Sequence, residues 1–220
     1  MNAYNKKTRK EKARAFVRNE CRALVELADL VFLSNLHKAA HFGCNRLERF
    51  YRGFHHTYEY YKLRYLTSDD SIFCGERIDT DVLKMHIQDI GFDYDALVDY
   101  GFQDNTRGGV YSDTAPLTYN RAVVMREAIP VMEHFNLVSL VTLHDIEGYG
   151  TDRLTRIFLP FQGEYNDYKR LYLAADPSTI KPEITKPCEI TQNLKNQLLD
   201  IGFDYYAIVG EIMKECEKDR

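Results

Sequence analysis

The chain has 220 residues, 45% of them apolar and 28% charged, with a net charge of −4. These values suit a folded globular protein and argue against a disordered one. No run approaches the roughly 18 consecutive apolar residues of a membrane span. The start, MNAYNKKTRKEKARAF, is basic but lacks the apolar stretch of a secretory signal, so the expected location is the cytoplasm. Cys21, Cys44, Cys74, Cys188 and Cys216 are odd in number and form no CxxC pair. They argue against a disulfide framework or a cysteine-rich zinc site.

Charge is unevenly spread. Residues 1–65 hold fourteen Lys/Arg against six Asp/Glu, a balance of +8, and the remainder carries −12. Such a gradient fits an anionic partner at the basic end, and equally an internal match between two surfaces.

Residues 1–12 read as a basic arm holding Lys6, Lys7, Arg9, Lys10 and Lys12. The next segment, to residue 100, is the first of two related copies. Its opening helix carries Val17, Cys21, Leu24, Ala28 and Val31 at spacings of three and four, which marks one buried stripe. After Gly43 a second helix carries Leu47, Tyr51, Phe54, Tyr58, Tyr61 and Tyr65 in the same rhythm. A third element is expected to start at Thr80 and stop at Gly91 as a left-handed cap, with Asp93 capping a further helix. The loop 67–79 is expected to hold short extended pieces.

The stretch 101–119 is rich in Gly, Asp, Asn, Thr and Pro and reads as a linker. The pattern then repeats over residues 120–220. A shift of 107 places residues 30–69 on 137–176 without a gap, with sixteen identities in forty positions. A shift of 111 places residues 80–98 on 191–209, with eleven identities. The stripe recurs as Leu154, Phe158, Phe161, Tyr165, Tyr168 and Tyr172, and Thr191, Gly202 and Asp204 repeat the cap signals. Pro130 and Pro160 are expected to disturb their helices, and Gly53 stands opposite Pro160. The expected fold is all-α, with two tandem homologous helical subdomains related by a pseudo-twofold.

Three constellations suggest chemistry. Ala39 and Gly43 have the offset of a helix-turn-helix, but Arg49 and Arg52 occupy places that should be apolar in such a unit. Arg46, Arg49 and Arg52 gather on one side of their helix, and Arg153 and Arg156 repeat part of the set. With Lys6, Lys7, Arg9 and Lys10 they form a candidate nucleic-acid or partner surface, because guanidinium forks suit phosphates and carboxylates. The structural alternative is ion pairing to Glu48, or to Glu20 and Glu26 within a copy. His37, His41 and Cys44 offer metal ligands at one-turn spacing. The second copy keeps only His144, so His37 and His144 read better as histidines bonded to backbone where a helix ends. No phosphate-binding glycine loop, nucleophile elbow or paired acid motif is present. No cofactor is expected.

The elements Leu36, His37, Phe42, Gly43, Arg46 and Leu47 recur as Leu143, His144, Tyr149, Gly150, Arg153 and Leu154. This motif resembles small uncharacterised proteins of bacteriophages and mobile elements of Gram-positive bacteria, here in tandem duplicate. The resemblance implies a phage accessory context, where small non-enzymatic binders that block host defence are common. The expected function is therefore a binding protein that occupies a host protein or nucleoprotein, such as a CRISPR effector. A DNA- or RNA-binding protein using the basic first copy, and a metal protein or enzyme at His37, His41 and Cys44, are the alternatives.

Overall fold

The computed structural model describes the backbone of residues 3–67, 77–98, 116–174 and 186–218, with side chains for 15, 19, 21–65, 79–98, 128–168 and 189–215. Within these residues the protein is all-α. The first copy comprises α1 (Ala3–Ala40), α2 (Cys44–Tyr65), α3 (Thr80–Asp89) and α4 (Tyr94–Leu97). The second comprises α5 (Pro116–Glu147), α6 (Thr151–Ala174), α7 (Lys186–Asp200) and α8 (Tyr205–Lys218). Extended pieces do occur after α2: β1 (Leu66–Thr67) pairs antiparallel with β2 (Arg77–Ile78), Leu66 opposite Ile78. No described helix is long and apolar enough to cross a membrane.

The element boundaries differ from expectation in three places. Helix α1 begins at Ala3, so the basic arm continues the first helix. Helix α5 begins at Pro116, inside the stretch read as linker, where the fixed φ of proline suits a first helical turn. Thr191 lies inside α7 rather than at its start, and the cap of α3 is Asp79, whose carboxylate accepts from the Asp81 amide at 3.0 Å. Neither Pro130 nor Pro160 divides its helix.

The caps that repeat in the sequence take the same geometry in both copies. Gly91 and Gly202 adopt φ of +82° and +86°, a conformation open to glycine because it lacks Cβ. Asp93 and Asp204 each accept from the amide three residues on, at 3.1 Å. His37 Nδ1 meets the Phe42 carbonyl at 2.8 Å, and His144 Nδ1 meets the Tyr149 carbonyl at 3.0 Å. The backbone role read for this histidine pair is the observed one.

The copies do not pack as separate subdomains. Helix α1 lies chiefly against α5, α6 and α7, and α5 lies chiefly against α1, α2 and α3, so each long helix is sheathed by the other copy's shorter ones. Side chains of both copies form one apolar cluster. This enclosure explains why α1 is buried on every side from Leu27 to Leu36, rather than along one stripe. Cys21, Leu24, Ala28 and Val31 are buried as expected, while the side chain of Val17 lies outside the described residues. In α2 and α6 the aromatic stripes point inward as far as Tyr168, the side chain of Tyr172 lying outside the described residues, and Phe32 of α1 contacts Phe50, Phe135 and Phe161 from both copies.

Candidate functional site

Some of the polar interactions that join the copies come in equivalent or near-equivalent pairs. Lys84 of α3 bonds Glu133 of α5 at 2.6 Å, and Lys195 of α7, its counterpart, bonds Glu26 of α1. Thr151 and Cys44 are equivalent and donate to neighbouring rather than equivalent carbonyls: Thr151 Oγ1 to Ile90 at 2.8 Å, and Cys44 Sγ to Gly202, one residue past the counterpart of Ile90, at 3.1 Å. Phe42 and Tyr149 occupy equivalent positions and touch each other, ring centroids 6.2 Å apart. Equivalent residues in mutual contact are what an isologous, twofold-type interface produces.

Arg46, Arg49 and Arg52 of α2 gather as expected, but this protein's own carboxylates hold them. Arg46 Nε bonds Glu147 at 2.8 Å, its Nη2 reaches the Tyr149 hydroxyl at 2.9 Å, and its guanidinium lies 4.0 Å over the Phe42 ring. Arg49 grips the same Glu147 through Nε and Nη2 at 3.1 and 2.7 Å. The Glu147 side chain is only 2% exposed, so two guanidinium groups compensate one buried carboxylate. Arg52 bonds Glu48 at 3.0 Å, as one sequence reading expected, and also Glu211 and Glu215 of α8 at 2.6 and 3.0 Å. Of the carboxylates expected for the arginine set, Glu26 goes to Lys195 instead, and Glu20 lies outside the described side chains.

Arg153 and Arg156 stand apart from this cluster. Both are exposed, and neither meets a carboxylate among the described residues; Arg153 lies 5.5 Å from the Tyr149 ring. The side chains of Lys6, Lys7, Arg9 and Lys10 lie outside the described residues. His37, His41 and Cys44 are not brought together as ligands. His37 turns to the Phe42 carbonyl, Cys44 to the Gly202 carbonyl, and His41 is exposed at φ +55°. The group of potential ligands found among the described residues is another one, His86, His144 and Asp145.

Sequence reasoning also missed a buried polar centre. Asp29, on α1, accepts hydroxyl bonds from Tyr205 at 2.9 Å and Tyr51 at 3.1 Å. Burial raises its pKa from 3.8 to about 7; the bonds from Tyr205 and Tyr51 pull the other way, and nearby Glu26 adds to the rise. Its counterpart is Asn136, which donates to Tyr94, the counterpart of Tyr205, at 3.1 Å. Where the first copy has Tyr51 the second has Phe158, so the second centre lacks one hydroxyl. The mismatch Asp29/Asn136 was the available signal, one residue before the gapless block of identities begins.

Fold and site together define an all-α chain whose two copies interlock across paired polar contacts, with arginines spent on joining them. No family model matches this chain, and no curated protein or solved structure matches it either.

Proposed function

We propose that the protein is a non-enzymatic binder of phage or mobile-element type that acts in the cytoplasm by occupying a host protein or nucleoprotein, such as a CRISPR effector. The observation that carries this reading is the outer face of α8. Tyr206 and Met213, seven residues apart and so on one side of the helix, are 62% and 57% exposed. Tyr and Met are favoured at protein contacts, and apolar side chains rimmed by charge mark interaction surfaces. The charge beside this face is mixed: the Tyr206 hydroxyl meets Lys195 and Glu26, while Glu211 and Glu215 lie round the helix from it and turn to Arg52. The engagement of Arg46, Arg49 and Arg52 by internal carboxylates weighs toward an internal match as the meaning of the +8 balance.

The test is phage plating on cells that carry a defence system and express this protein. Relief of restriction by the native chain, lost in Tyr206→Ala/Met213→Ala, is the expected result. Failure to relieve any system across a panel that includes CRISPR effectors would sink the reading. The exposed Arg153 and Arg156 favour a second reading, direct nucleic-acid binding. It requires micromolar affinity for DNA or RNA that falls steeply between about 50 and 200 mM salt, and that Arg153→Ala/Arg156→Ala weakens.

A further inference from the structure

His86 lies on α3 of the first copy, and His144 and Asp145 lie at the C-terminal end of α5 of the second. One ligand atom from each falls within 4.8 Å of the other two. His86 Nε2 and Asp145 Oδ1 are already 3.3 Å apart. That matches the edge of a tetrahedron around an ion with ligand bonds of about 2.0–2.1 Å.

We propose that His86, His144 and Asp145 form a binding site for a divalent transition-metal ion such as Zn2+, through both imidazole Nε2 atoms and a carboxylate oxygen.

The orientation of the two rings is the second, independent support. His144 Nδ1 is bound to the Tyr149 carbonyl at 3.0 Å, which fixes the proton on Nδ1 and leaves the Nε2 lone pair free. His86 Nδ1 lies 3.0 Å from the Tyr61 hydroxyl, which can hold its ring in the same tautomer. Metal-binding histidines are typically set this way, the distal nitrogen anchored by an oxygen so that the other faces the ion. Imidazole and carboxylate donors suit Zn2+, Co2+ or Ni2+ better than the oxygen-seeking Mg2+. The His86 and Asp145 side chains are 34% and 45% exposed, so an ion could enter and would keep a position open to water or a partner's side chain.

The internal duplication supplies a control within the same molecule. The positions equivalent to His86, His144 and Asp145 are Gln197, His37 and Lys38. His37 keeps the same backbone bond, but its neighbours are an amide and an ammonium, and Lys38 turns to Glu164 at 3.3 Å. The ligand set therefore exists at one of two equivalent places, and residues compatible with the fold without it are written at the other.

Calorimetric titration of the metal-stripped chain with Zn2+, paired with Co2+ visible absorption, tests the site. One ion per chain is expected, with a tetrahedral or five-coordinate Co2+ spectrum. His86→Gln, which installs the residue of the equivalent position, is expected to weaken binding by more than the roughly 10–100-fold typical of an outer-shell change. Tyr61→Phe should fall within that range. Installing Gln197→His with Lys38→Asp should raise the stoichiometry from one to two. Absence of binding by the native chain, or binding of equal strength in His86→Gln, overturns the proposal.

Discussion

Asp29 and Asn136 hold equivalent places in the two copies, and each meets a tyrosine supplied by the other copy. The first can lose a proton and the second cannot. The same divergence recurs at the copy junction, where Glu147 anchors Arg46, while its counterpart is Ala40 and Arg153 meets the Tyr149 ring and no carboxylate among the described residues. The backbone arrangement, the glycine caps and the Lys84–Glu133 and Lys195–Glu26 pairs are common to both halves. Asp29, His86 and Glu147 are not, their counterparts being Asn136, Gln197 and Ala40. Shared residues hold the architecture, and the positions where the copies differ carry whatever is particular to this chain.

The largest expected contrast is between Phe32 and its counterpart Ser139. Both are buried, but Phe32 fills the centre of the joint core, whereas the Ser139 hydroxyl has no hydrogen-bond partner among the described residues. Phe32→Ala is expected to cost about 3–5 kcal/mol of unfolding free energy, from lost burial and the cavity left behind. Ser139→Ala is expected to be neutral or slightly stabilising, since it removes an unsatisfied buried group. Urea unfolding of both variants measures this. Equal losses would show that the two positions are packed alike and that the copies share their core evenly.

Next in size is the response of Asp29 to pH. Its folded pKa, about 7, lies above the unfolded value of 3.8, so the folded chain holds this proton more tightly. Stability from this group is full below pH 4 and is lost as pH rises through 7, by about 4 kcal/mol at most. His55 and His134 act in the opposite sense. Burial lowers both from 6.5 to about 4, so their contribution is full above pH 6.5 and is lost as pH falls toward 4. On the acid side two histidine protons outweigh one carboxyl proton, and the native chain should be most stable near pH 6.5. Asp29→Asn, which copies the residue of the other half, should remove the decline above that pH and be about 2–4 kcal/mol more stable than the native chain at pH 8. A variant no more stable than the native chain at pH 8 would show that the two tyrosines hold the carboxylate charged.

Much of the local structure was legible in the sequence because local chemistry determines it. Stripes at spacings of three and four marked the inward faces of α2 and α6, and Gly91, Gly202, Asp93 and Asp204 marked caps that depend on a few neighbouring residues. The repeated histidine was readable for the same reason. Periodicity shows that a face is buried and not what covers it, so the exchange of partners between copies was hidden. The arginine partners followed from that exchange: Glu147 lies far along the chain from Arg46, and no spacing rule connects them. His86 escaped notice because its ligand companions lie in the other copy, and because Gln197 at the equivalent position made the site look like ordinary helix surface. Comparing the copies for differences as well as identities would have pointed to both Asp29 and His86.

The smallest expected effects concern the arginines, and they decide what the basic half is for. Glu147 is almost fully enclosed while Arg46 and Arg49 are 37% and 61% exposed, so solvent screens the pairs and much of their Coulomb gain is lost. Removing the acid still leaves Arg46 facing the Phe42 and Tyr149 rings without its carboxylate. Glu147→Ala is expected to cost about 1–2 kcal/mol, Arg46→Ala about 1 kcal/mol, and Arg153→Ala less than about 0.5 kcal/mol. A double-mutant cycle of Arg46→Ala with Glu147→Ala isolates the pair, and its coupling should shrink as salt is raised. Equal losses for Arg46→Ala and Arg153→Ala would mean that Glu147 adds nothing to the joint between the copies. Near-zero coupling in the cycle would return Arg46 and Arg49 to the pool of residues available for an anionic partner.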